Sequence, residues 1–138
     1  MVVTMLLCDA AQAVDGKLYV LGGGWSVTPT PTGPLALAIK VEVPWTDVER
    51  VHDWALELRD ADGHPVVIGD SAVHVGGTLH VGRPVGLPEG TPADAVLALS
   101  FGPLPLAPGR YTWWFTLIGE TETLTTLAFS ALGAPAGR

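Results

Sequence analysis

A chain of 138 residues, 48% hydrophobic and 15% charged, makes one domain, long enough to bury roughly two-thirds of its unfolded surface without a disulfide or metal staple. Its net charge of −7, from 14 acids against 7 bases, opposes DNA, RNA and anionic membranes, which draw affinity from Lys and Arg neutralising phosphates. The charged fraction lies below the roughly 25% usual in soluble domains, so a partner or a second copy of the chain is expected to cover part of the surface.

The single cysteine, Cys8, cannot form an internal disulfide and lies in an apolar run, where a small buried thiol and a reducing, cytoplasmic setting are expected. Ala11-Gln12-Ala13 imitates a signal-peptidase site, and Leu6-Leu7-Cys8 a lipoprotein box. No basic residue precedes the short apolar run, however, and Leu7 stands where that box needs a small residue, so secretion is not expected. No run approaches the ~20 apolar residues of a membrane helix.

Val2 to Cys8 reads as a strand apolar on both sides, suited to burial on both faces or to a subunit contact. Residues 9–15 read as a short connection, Asp15-Gly16 as a turn, and Lys17 to Leu21 as a second strand running into Gly22-Gly23-Gly24. Trp25 to Thr28 resumes the extended chain, and Thr28 to Pro34 forms a rigid, donor-poor crossover outside any sheet. Leu35, Leu37, Ile39, Val41 and Val43 alternate with Ala36, Ala38, Lys40 and Glu42, which predicts one core face and one wet face. Thr46 to Glu49 has capping-box spacing, so one helical turn is expected near 46–51.

From Asp53 to Arg59, Trp54, Leu56 and Leu58 point inward; Asp60-Ala61-Asp62-Gly63 then turns into a partner strand, and Gly69-Asp70 breaks the next run. Ser71 to Val81 continues extended, with His74, Thr78 and His80 on the outer parity, and the glycines and prolines of 82–92 impose an irregular crossover. Val96 to Phe101 is another strand. A final hairpin places Tyr111, Trp113, Phe115 and Leu117 inward and Arg110, Thr112, Trp114, Thr116 and Ile118 outward. Leu124 differs in parity from Leu127 and Phe129, so gathering all three on one face requires a bulge near Thr125-Thr126. The whole predicts an all-β, two-sheet antiparallel, immunoglobulin-like sandwich of seven to eight or more strands over residues 1–138, with 131–138 as a flexible tail.

Three blocks carry a family resemblance: Cys8-Asp-Ala with Asp15-Gly-Lys-Leu-Tyr-Val-Leu-Gly22, the 82–92 crossover, and Phe101-Gly-Pro-Leu-Pro-Leu-Ala-Pro-Gly-Arg-Tyr-Thr-Trp113. Across most of its length the chain resembles a family of small uncharacterised bacterial, mainly actinobacterial, proteins. The resemblance implies a sandwich and supplies no catalytic residue. In that family the position of Trp114 is usually polar, so the tryptophan here is a departure. Apart from the resemblance, a sequence with no Asn and only two lysines fits a GC-rich bacterial genome.

The residues offer little chemistry. His74 and His80 lie six residues apart, about 20 Å along an extended strand, too far to share an ion unless the chain bends at Gly76-Gly77. Asp60, Asp62 and Asp70 lack the later ligands of a calcium loop, and Gly22-Gly-Gly-Trp25 is not followed by the Lys-Ser/Thr of a phosphate cradle. None of Ser26, Ser71, Ser100 and Ser130 has a nucleophile-elbow context. No catalytic, cofactor or metal residue is therefore expected, and the chain is read as no enzyme. The anomaly is Trp114, an outward indole beside Thr112, Thr116 and Ile118, read as an anchor for self-association or a protein partner; the alternative is that a loop such as 28–34 covers it. A competing reading is a small-ligand or carbohydrate platform on Trp25 and Trp45, and a weaker one is a metal-dependent hydrolase.

Overall fold

The computed structural model describes residues 1–118 and 122–133 and is all-β. Strands β1 (Val2–Val14), β2 (Lys17–Gly23), β4 (Leu35–Val43) and β9 (Ala93–Phe101) form one antiparallel sheet in the order β2-β1-β4-β9. The second sheet has the order β3-β11-β10-β5-β8, from β3 (Val27–Pro29), β11 (Thr123–Leu132), β10 (Gly109–Ile118), β5 (Val51–Arg59) and β8 (His74–His80). A small hairpin, β6 (Val67–Ile68) with β7 (Ser71–Ala72), projects between β5 and β8 around Gly69-Asp70. Among the described residues no helix is long and apolar enough to cross a membrane.

The two sheets face each other across one core, because both carry period-2 apolar rows. Leu35, Leu37, Ile39, Val41 and Val43 come from one sheet; Leu56, Leu58, Trp113, Phe115 and Phe129 from the other. An aromatic contact joins them, Phe101 of β9 meeting Trp113 of β10 with ring centroids 5.0 Å apart, and within the second sheet Trp54 of β5 stacks on Phe115 of β10 at 5.9 Å. Leu104 and Leu106, on the 102–108 link between the sheets, are buried in the same core. Tyr111 pins that link, its hydroxyl donating to the Ala107 carbonyl at 2.6 Å. Tyr111→Phe removes the donor while keeping the ring, and an equilibrium urea titration is expected to show a loss of about 1 kcal/mol.

Several sequence expectations are corrected. Strand β1 does not stop at Cys8 but runs to Val14, because Asp15 (φ 52°) and Gly16 (φ 73°) both adopt the left-handed conformation of a two-residue hairpin turn. The resulting β1–β2 arm curls back: Ala11 and Leu18 pack on Cys8, Ala36 and Ala38, and β2 touches β9, at the opposite end of the pairing order. The outer side of β4 is consequently dry at this end, with Ala36 and Ala38 1% and 4% exposed; of its outward residues only Lys40 is exposed, Glu42 being half-buried. Cys8 is covered in the same way, whereas Val2 and Leu6 of that strand remain exposed.

No bulge interrupts β11. The ladder with β10 is regular from Gly109↔Ala131 to Leu117↔Thr123, so Leu124 stays outward opposite Thr116. The tail expected from residue 131 is also corrected at its start, since Ala131 and Leu132 belong to β11; residues 134–138 lie outside the described residues, as do Gly119 and Glu120. The turn expected at 46–51 is a 3-10 turn at Trp45–Asp47 without a side-chain cap, ended by Glu49 at φ 69°. Part of the 28–34 crossover does enter a sheet: β3 lies parallel to β11 at an edge, where a proline costs no ladder bond.

Candidate functional site

Trp114 faces outward from β10, between Glu57 of β5 and Thr126 of β11. What covers it is not the 28–34 crossover, which bonds instead to Leu104, Leu106 and Leu132. The Arg59 guanidinium lies 4.0 Å over the indole and is held by Glu57 at 2.5 Å. Thr112, Trp114 and Thr116 are half-buried, and the apolar exposure on this face sits at Ile118 and at Leu124 (46% and 52%), the second of which the bulge expectation had hidden.

A second apolar surface was not visible in the sequence. Along the outward side of the arm run Ala10, Gln12, Val14, Lys17, Tyr19 and Leu21, set by the pairs Ala10↔Leu21, Gln12↔Tyr19 and Val14↔Lys17. Tyr19 and Leu21 are 56% and 71% exposed, on a strand that among the described residues pairs only with β1. The signal that could have revealed it was Asp15-Gly16, the strongest type of hairpin turn; the Ala- and Gln-rich 10–13 segment masked the strand because it lacks β-formers.

Trp25 and Trp45 do not share a groove. Trp25 and Leu35 line one half-open cleft at the start of β4, whereas Trp45 follows the other end of that strand, about 26 Å away along nine residues. Trp45 is covered by Arg83, whose guanidinium lies 4.0 Å over the ring and donates to the Trp45 carbonyl at 2.9 Å. The Trp25 cleft has a volume of about 300 Å³ and is also lined by Asp9, Val27, Thr28, Pro29, Gly33 and Pro34. Three separated segments build it. The Asp9 carboxylate occupies the space a side chain at Gly22 would fill, and Trp25 meets Phe129 in a T-shaped contact, with centroids 6.3 Å apart and planes at 86°.

Among the described residues, Asp60, Asp62 and His64 bring possible metal-ligating atoms within 4.8 Å of one another. Asp60 Oδ1 already accepts the Asp62 and His64 backbone N–H groups at 2.9 and 3.0 Å, the work of a turn. Asp70 lies in the separate β6–β7 turn, and His74 and His80 stand exposed on β8. Cys8 donates to the Ala36 carbonyl at 3.4 Å. Burial first, and the Asp9 carboxylate second, push its thiol pKa up, opposed by a backbone hydrogen bond at Ala38. A raised thiol pKa makes this a protected cysteine rather than an activated one.

These features define a class: an all-β domain of two curled sheets about one core, with a folded-back arm and a half-open cleft beside it. The chain belongs to the family of unknown function DUF6941, whose model matches residues 3–130. No curated protein matches it.

Proposed function

We propose that this domain is a non-catalytic interaction module, an immunoglobulin-like sandwich of the bacterial cytoplasm that self-associates. The immunoglobulin-like assignment is supported by the orders β1-β4-β9 and β11-β10-β5-β8, the parallel strand β3 along β11, the buried Trp54 and the Tyr111 corner. The cytoplasmic assignment rests on the lone thiol.

The observation that carries self-association is the apolar edge of β2, unpaired among the described residues. Such an edge offers a row of free N–H and C=O groups to another strand. Antiparallel pairing of two copies about Val20 sets Tyr19 of each opposite Leu21 of the other, twice, an aromatic–aliphatic pair that favours sheet formation. The Trp114, Ile118, Thr112 and Thr116 face is the second surface, with Leu124 added and Trp114 itself shielded by Arg59.

Sedimentation velocity over a concentration series tests this. The wild type is expected to associate and Leu21→Asp to sediment as a monomer; Trp114→Glu giving the monomer instead assigns contact to the β10 face. A wild type that remains monomeric at every concentration overturns self-association. Small-ligand binding is a second reading, favoured by the cleft at Trp25 and not by Trp45, which Arg83 covers.

A further inference from the structure

The cleft beside the arm has a one-sided chemistry. Asp9 contributes a carboxylate, and among the described residues no Lys, Arg or His lines the cavity. The ion pairs among the described residues are Lys40 with Asp94 and Arg59 with Glu57, so Asp9 meets no cation there. Trp25 adds an aromatic ring packed T-shaped against Phe129, while Val27, Pro29, Pro34 and Leu35 supply apolar walls.

Each component favours the same ligand class. A carboxylate attracts positive charge, and an indole face attracts it again through its quadrupole. The net charge of −7 adds a field of the same sign. A bare divalent ion is a poor fit, because calcium takes six to eight oxygen ligands and the cleft has a single carboxylate among apolar walls. Those walls suit carbon substituents around a charged nitrogen. A neutral sugar would use the ring and leave the carboxylate's charge unmatched.

We propose that the Asp9–Trp25 cleft binds a small organic ammonium ion, its charged nitrogen against Asp9 and its alkyl groups against Trp25 and the prolines. This rests on the small-ligand reading above and is independent of self-association.

Choline, its neutral carbon isostere 3,3-dimethylbutan-1-ol, and glucose are titrated separately into the isotopically labelled full chain at constant ionic strength. The Asp9 amide and Trp25 indole N–H resonances are followed. Choline is expected to shift both saturably, and the isostere to bind about tenfold more weakly or not at all. Asp9→Asn is expected to weaken choline by a similar factor. The isostere comparison uses unaltered protein, so it decides the matter even where Asp9→Asn disturbs the arm. Equal affinity for choline and its isostere overturns the ammonium assignment. Glucose shifting these resonances while choline does not overturns it too but keeps the small-ligand reading; no saturable shift with any probe discards both.

Discussion

Trp113→Ala is expected to lower the unfolding free energy by about 3–5 kcal/mol, read as a drop in the urea midpoint. Trp113 is 0% exposed, lies between Leu58 and Leu127 on its neighbouring strands, and meets Phe101 of the facing sheet. Truncation removes the largest filler between the sheets and leaves a cavity that paired strands cannot collapse to fill. The loss is a large share of the 5–15 kcal/mol that stabilises an ordinary domain. Trp113→Phe separates volume from polarity. The indole Nε1 is buried without a hydrogen-bond partner, so phenylalanine sheds an unsatisfied donor while retaining most of the ring. The phenylalanine variant is therefore expected to lose clearly less than the alanine variant, and equal losses would contradict this account of the core.

Gly22→Val is expected to open the arm and expose Cys8. Gly22 sits at φ 59°, and a Cβ there would collide with the Asp9 carboxylate. A β-branched residue pays about 1–2 kcal/mol for that backbone conformation before Asp9 is displaced. The arm folds back at this point and covers Cys8, Ala36 and Ala38, so its release is read directly at the thiol. Reaction of Cys8 with a disulfide reagent is expected to be slow in the wild type and much faster in Gly22→Val. Gly16→Ala is the control, since its φ of 73° carries the backbone strain but its Cβ would meet open space. An unchanged thiol rate in Gly22→Val would show that the arm does not protect Cys8. The same burial sets a pH dependence. Below the unfolded thiol's pKa, about 8.5, both states hold the proton; above it the unfolded chain ionises first, so stability falls with rising pH until the folded thiol also ionises.

The inward rows of β10 and of β5 beside it were legible residue by residue. Tyr111, Trp113, Phe115 and Leu117 point inward as their spacing requires, as do Trp54, Leu56 and Leu58, because a strand with one buried face cannot slip by one residue without exposing its whole apolar row. The outward position of Trp114 followed from the same parity. Its Arg59 lid did not, since that contact depends on which strand lies beside β10.

Alternation misled wherever something else covered a strand's outer face. Ala36 and Ala38 read as wet by parity and are dry, because the arm lies over them. Leu124 read as a core residue by type and is exposed, because the unbroken ladder keeps it outward. The sequence by itself determined the all-β class, the inward rows and most turns, since these depend on local period and turn chemistry. Tertiary structure alone decided where the arm folds, which strand edge stays unpaired, and that Asp9 and Trp25, sixteen residues apart, share one cleft. Those outcomes depend on approaches between distant segments, for which a periodicity of two or of 3.6 carries no signal.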